Sequence, residues 1–129
     1  MIDRVEQLTG EAKELPELRA AASLLERAVV THARLEEELL LAALEEKGHV
    51  GGPMAIMRAE HEEIHEMVAA LPGFTTLGEV KDGLTSLLEV LRNHFRNEEA
   101  FLFPLSEGLL GEATLSELGA RWAVERGLP

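Results

Sequence analysis

The feature that most constrains this sequence is a set of three apolar stripes that repeat with the spacing of an α-helix. They run through residues 16–47, 53–71 and 77–105, and the last of them includes Phe101 after Glu98. A stripe of this kind is the buried seam of a bundle helix. Each stripe is interrupted by two polar residues that stand one helical turn apart. The three pairs are His32 with Glu36, His61 with His65, and His94 with Glu98. We therefore predict an all-α fold whose helices carry polar groups on their buried faces.

Proline and glycine residues mark the helix ends in the first half of the chain. Residues 2–14 predict a short first helix that Gly10 weakens. Pro16 and Pro53 each suit the first turn of a helix, where the missing N–H costs nothing. The glycine-rich turn "GHVGG" separates these two helices, and its His49 lies off every stripe, so we expect His49 to be exposed.

Two capping-box spacings mark helix starts in the second half of the chain. They are Thr76 with Glu79, and Thr114 with Glu117. The first predicts the start of the fourth helix, although Gly78 and Gly83 leave its true start open. We expect that helix to end around Phe103 and Pro104. The second spacing predicts a short C-terminal helix over residues 113–127.

Length and charge narrow the class of protein. A chain of 129 residues is long enough for one domain with its own core, and we place the core bundle at about residues 16–106. A net charge of −12 argues against binding to nucleic acid or to an anionic membrane. The chain has no cysteine, no signal-peptide pattern at its start and no apolar run of membrane-spanning length. We expect a cytoplasmic protein, and a homodimer is left open.

The polar pairs on the seams predict a metal site. An ionised glutamate such as Glu36 or Glu98 is costly to bury unless it is paired or coordinates a cation. If the helices pack as neighbours, four imidazoles and two carboxylates converge in the core. This donor set suits iron or manganese, and also zinc. Two carboxylates can bridge a pair of metal ions. The alternative is a hydrogen-bonded polar core without metal.

The stretch "HEEIH" also matches the H-E-x-x-H signature of zinc peptidases, with Glu62 as general base. The sequence after His65 lacks the expected continuation, and a peptidase leaves the other two pairs unexplained. A ferritin-like site needs Glu-x-x-His on two helices, and only Glu62 with His65 has that spacing. Glu62 and its neighbour Glu63 lie well off the buried face. We therefore disfavour both interpretations.

The stretches "HARLEEELL", "EHEEIH" and "HFRNEEAFLFP" resemble the hemerythrin-like, or HHE cation-binding, family. The resemblance covers about residues 16–106 and implies an up-down-up-down four-helix bundle around a non-haem di-iron centre. It implies that His61, His65 and His94 serve one iron and His32 the other, with two bridging carboxylates. The bridging carboxylates are Glu36 and Glu98, with Glu99 as the alternative to Glu98 if the helix bends before Pro104.

The sequence departs from the family pattern at its first helix, because residues 1–31 contain no histidine. The missing histidine could be replaced by a carboxylate of Glu6, Glu11 or Glu14, or by a residue of a partner subunit. A mononuclear site is a further alternative. The predicted C-terminal helix around Trp122 is a candidate to cover the gap beside a shortened first helix.

The resemblance implies a metal-binding protein with one or two iron ions that binds or senses dioxygen or nitric oxide. An enzyme that reduces nitric oxide or removes peroxide is the alternative. The chain has no tyrosine and no cysteine to act as redox partners of the metal, and this makes the enzyme less favoured. A metal-free helical interaction module stays open as a third class.

Overall fold

The computed structural model describes residues 2–48 and 51–125, and every regular element in those ranges is helical. The α-helices are α1 (Ile2–Glu11), α2 (Leu15–Leu35), α3 (Ala42–Glu46), α4 (Pro53–Ala70), α5 (Leu77–Asn97) and α6 (Phe103–Glu125). Two π-helical segments, Glu36–Leu41 and Glu98–Leu102, and a 3₁₀ turn, Leu71–Gly73, complete the order. Helices α2 and α3 are joined without a break by the first π segment, and α5 and α6 by the second, so the described residues form four helical stretches. The predicted all-α, four-helix fold with a short first helix is confirmed, and its short connections suit up-down-up-down topology. His49 and Gly127 lie outside the described residues.

Residues 2–30 and 61–93 form one compact unit. Within it, α1 is attached by Arg92, whose guanidinium binds Asp3 at 3.0 Å and also contacts Glu6. Arg19 donates a hydrogen bond to the backbone carbonyl of Phe74. The interior is mostly aliphatic, and the buried apolar residues include Val5, Leu18, Leu25, Ile64, Val68, Val80, Leu84, Leu87 and Leu91. The first unit therefore has a largely apolar core, and the polar contacts of Arg92 and Arg19 lie outside that core.

The predicted capping box at the start of α5 is confirmed. The Glu79 backbone N–H donates to the Thr76 hydroxyl at 3.1 Å, and the Thr76 N–H donates to the Glu79 carboxylate at 3.2 Å. Helix α5 begins at Leu77, so Gly83 lies inside it. A Cβ at position 83 would stand 2.7 Å from the Phe74 ring. Gly83 therefore admits a packed aromatic ring and does not mark a helix end.

Residues 31–60 and 94–125, apart from positions 49 and 50, form the second unit. Its core consists of Leu40, Leu41, Leu44, Met54, Met57, Leu102 and Leu110. Arg58 and Glu45 form a salt bridge at its surface. Among the helices of the described ranges, none combines the length and apolar character that a membrane span requires.

The sequence prediction is wrong about which residues face inward after Glu98. We expected Phe101 on the buried seam, but Phe101 is 59% exposed and Leu102 is fully buried. The reason is the π segment, in which the Phe103 N–H donates to the carbonyl of Glu98, five residues back. A π turn holds about one residue more than an α turn, and this moves the inward face by one position.

The predicted helix end at Phe103 and Pro104 is also wrong. Pro104 is the second residue of α6, and the helical backbone continues through it directly from the preceding π segment. The helix breaks at Gly111 instead, whose φ of 78° and ψ of 165° lie outside helical values. The predicted C-terminal helix follows this break, and Thr114 lies within it rather than at its start.

Candidate metal centre

The second unit brings together four of the residues that the sequence nominated. They are His32, Glu36, His94 and Glu98. One possible ligand atom from each lies within 4.8 Å of the others. The two histidines occupy the last turns of α2 and α5, and the two glutamates are the first residues of the two π segments. Each helix therefore supplies one imidazole and, one turn later, one carboxylate.

The two helical stretches share the sequence pattern H-x-R-x-E-E-x-x-L, which begins at residues 32 and 94. In both stretches the helix widens into a π turn at the first glutamate of the pattern. π turns are rare in proteins as a whole, but those that occur are often located at functional sites. Both stretches were predicted as parts of the site from sequence, but the shared pattern is too short to stand out from the helical background.

The carboxylates of this group lie between its two imidazoles. His32 Nε2 lies 3.3 Å from an oxygen of Glu36 and 3.3 Å from an oxygen of Glu98. His94 Nε2 lies 2.7 Å from Glu98 and 4.0 Å from Glu36. Three of the side chains are almost fully buried, whereas 32% of the His32 side chain is exposed. Because two carboxylates are buried together, the group requires positive charge from protons or from a cation.

The two imidazoles supply part of that charge when no metal is present. Burial alone would lower the pKa of His32, but the hydrogen bonds that its imidazole donates to the carboxylates of Glu36 and Glu98 raise the pKa to about 9. Burial likewise opposes the protonation of His94, whereas its contacts with Glu98 and Glu60 raise the pKa of the imidazole. A bound cation would replace these protons, since a metal-ligating imidazole nitrogen has to be deprotonated.

Glu60, which was not predicted from sequence as a site residue, holds the His94 ring in place. One oxygen of Glu60 lies 2.8 Å from His94 Nδ1, and the other accepts a hydrogen bond of 2.6 Å from Asn97. This arrangement leaves Nε2 of His94 facing the carboxylates. A carboxylate on the far nitrogen of a ligating histidine fixes its tautomer and raises its basicity. The one sequence feature that could have pointed to Glu60 is its position in "EHEEIH", directly before His61.

The exposed histidine has aromatic neighbours instead of a bracing carboxylate. The ring centroid of Trp122 lies 5.3 Å from that of His32, and the planes are tilted by 57°. Phe95 makes an edge-on contact with His32 at 5.5 Å. The C-terminal helix, which the sequence nominated to cover this side, does contact His32 through Trp122.

The group does not include His61 or His65, which belong to the first unit. His61 is buried, with 3% of its surface exposed, and His65 is exposed. Their predicted roles as ligands stay predictions. Glu98 is buried and belongs to the group, whereas Glu99 is exposed. Of the carboxylates nominated to replace the missing first-helix histidine, Glu6 is held by Arg92.

Two imidazoles and two carboxylates on adjacent turns are a donor set that fits a divalent cation such as iron, manganese or zinc. The fold and the site thus define an all-α protein with a buried histidine–carboxylate group that could hold a metal ion. The sequence profile of the hemerythrin HHE cation-binding domain matches residues 1–114, and the chain belongs to that family. Comparisons with curated proteins and with solved structures gave no significant match.

Proposed function

We propose that this chain is a non-haem iron protein that binds dioxygen or nitric oxide as a carrier, scavenger or sensor. The observation that carries the proposal is the group of His32, Glu36, His94 and Glu98, with two buried carboxylates between two imidazoles. Membership of the HHE cation-binding family supports a metal at this place. Iron, when bound, supplies a redox-active ion whose reduced form takes up dioxygen or nitric oxide.

Two irons are the preferred stoichiometry. Glu36 turns one oxygen toward His32 and the other toward His94, and one oxygen of Glu98 lies near both imidazoles, so both carboxylates could be shared by two ions. His94 and His32 would then serve different ions, with His61 and His65 as further ligands in the proposal. One ion is the second candidate, because ligand atoms within 4.8 Å of one another could also surround a single cation. Manganese and zinc are the alternative metals for either arrangement.

The two histidines have different tasks in this proposal. Glu60 and Asn97 hold His94 against rotation, so His94 positions the metal. The exposed fraction of the His32 side chain supports an entry for a small ligand on that side of the centre. Trp122 narrows that entry and excludes bulk water from one face of the imidazole. An enzyme that uses the same centre has no structural observation in its favour.

The test is elemental analysis of protein produced with iron, followed by visible spectroscopy. We expect one to two iron ions per chain, and a new visible band when the reduced protein meets dioxygen or nitric oxide. The Glu98→Ala variant should lose the metal, and Glu99→Ala, a neighbouring exposed carboxylate, is its matched control. Protein that contains no iron after reconstitution, or that stays colourless with both gases, would overturn the proposal.

A further inference from the structure

A cavity of about 290 Å³ lies in the second unit, beside the candidate metal centre. Leu39 and Leu40 of the first π segment form part of its wall. Both halves of α6 contribute the rest, with Phe103 before the break at Gly111 and Leu118 after it. The cavity thus occupies space that the broken helix leaves against the π segment. Cavities of roughly 300 Å³ are at the small end of those that bind ligands.

The residues that line the cavity determine which charge and polarity a bound molecule can have. Most of the contacting side chains are leucine or aromatic, and Glu107 is the one charged residue among those that line the cavity in the described part of the chain. The hydroxyl of Ser106 already donates to the Leu102 carbonyl at 2.7 Å. Among the described residues that line the cavity, an anionic ligand would meet Glu107 and no cationic side chain, in a protein of net charge −12. A neutral, flat, apolar molecule of one or two rings fits the size and the walls.

Trp122 connects this cavity with the metal centre. Its indole lines the cavity, and the same ring lies 5.3 Å from the His32 ring. An occupant that packs against the indole therefore acts on a side chain in contact with His32. We infer that the cavity binds a neutral aromatic molecule of one or two rings and that Trp122 transmits its binding to the His32 side of the centre.

The binding site is independent of the metal, whereas the coupling to His32 rests on the function proposed above. The first experiment therefore uses metal-free protein and fluoroindole, a neutral two-ring probe observed by fluorine NMR. We expect saturable binding to the wild type. Leu118→Asp places a charge in the cavity wall and should weaken binding at least tenfold. Val124→Asp makes the same change on the same helix, at a residue that is 73% exposed and does not line the cavity, and should leave binding unchanged.

Circular dichroism checks that Leu118→Asp keeps its helices, because Leu118 also packs against the core of the second unit. A second pair of measurements does not depend on that variant. Fluoroindole carboxylate, an anionic derivative of the probe, should bind the wild type at least tenfold more weakly than fluoroindole does. Glu107→Gln should reduce that difference. Equal binding of both probes, or equal binding to the two Asp variants when both are folded, would overturn the cavity as the site.

The coupling is tested with Co²⁺-loaded protein, whose visible absorption reports the ligand geometry. Fluoroindole should shift the Co²⁺ band in the wild type. In Trp122→Leu the probe should still bind, but the band should not move. Binding without any shift in the wild type would overturn the coupling and leave the cavity site standing. Protein that binds fluoroindole but takes up no Co²⁺ would overturn the metal function and the coupling together.

Discussion

The two helical turns that build the candidate centre share one sequence pattern and differ in what surrounds them. Each presents a histidine and, one turn later, a glutamate that opens a π segment. His94 is almost fully buried, and Glu60 binds its second nitrogen. His32 has about a third of its side chain exposed and packs against the rings of Phe95 and Trp122. The same local sequence thus produces one fixed imidazole and one accessible imidazole.

The difference indicates how a centre of this kind can both hold a metal and admit a small molecule. A ligand that is buried and hydrogen-bonded on its far side is oriented before the metal arrives, which favours affinity. A ligand at the solvent edge can be approached by a gas or by water. We therefore expect the His94 half to control metal retention and the His32 half to control reactivity and proton release.

The largest effect should come from removing the two histidines separately. His94→Ala should reduce the iron content to less than about a tenth of the wild type, because a lost ligand costs more than the 10–100-fold typical of a lost orienting group. His32→Ala should retain more metal than His94→Ala and lose the spectral response to dioxygen. Elemental analysis and visible spectra of the two variants measure this difference.

If His32→Ala loses at least as much iron as His94→Ala, the two halves do not have the separate roles assigned to them. Glu99→Ala serves as the control for surface substitutions near the centre, since Glu99 is exposed beside the buried Glu98.

The next effect concerns the carboxylate that braces His94. Glu60→Gln keeps the size of the side chain and removes the charge that pairs with the imidazole. We expect metal affinity to fall by about 10–100-fold, the usual range for such a partner. Competition with a chelator of known affinity measures the change. Glu63→Gln, an exposed position on the same helix, is the matched control. An affinity equal to that of the control would mean that the contact between Glu60 and His94 does not position the metal ligand.

The metal-free protein should lose stability as the pH rises, because of His32. Its pKa is about 9 in the folded chain, against 6.5 for an unperturbed imidazole. The raised pKa stabilises the folded state fully below pH 6.5, and this contribution is lost as the pH rises through about 9. Since 32% of the side chain is exposed, we expect a loss of roughly 1–2 kcal/mol.

Urea unfolding of metal-free protein at several pH values across this window measures the loss. His32→Gln removes the titrating group and should reduce the slope. The remaining slope belongs to His94, whose pKa is also raised. A His32→Gln variant that loses stability as steeply as the wild type would contradict the assignment to His32.

The helical seams and the carboxylates on them could be predicted from sequence, because a 3.6-residue period is a local property. His32, Glu36, His94 and Glu98 were nominated this way and lie together in the structure. The change of inward face after Glu98 could not be predicted, since an α-helical period does not reveal a π turn. For this reason Phe101 was placed on the buried side, whereas Leu102 is the buried residue.

The contacts around each histidine were harder to predict than the histidines themselves. Glu60 and Asn97 lie 37 positions apart, so their hydrogen bond depends on how helices α4 and α5 pack. The tilt of Trp122 against His32 depends on the break at Gly111, and glycine in a helical pattern does not by itself specify a break. The capping box of α5, in contrast, spans four residues and was predicted correctly.

That capping box provides the smallest predicted effect, and it separates loss of a metal contact from general loss of stability. Thr76→Ala removes the hydroxyl that accepts the Glu79 N–H, which should lower the free energy of unfolding by about 1 kcal/mol. Thr76 belongs to the first unit and the four-residue group to the second. Iron content should therefore stay at the wild-type value while the melting temperature falls. If Thr76→Ala lowers metal affinity as much as Glu60→Gln does, both effects reflect stability alone, and the contrast between the His94 and His32 halves loses its basis.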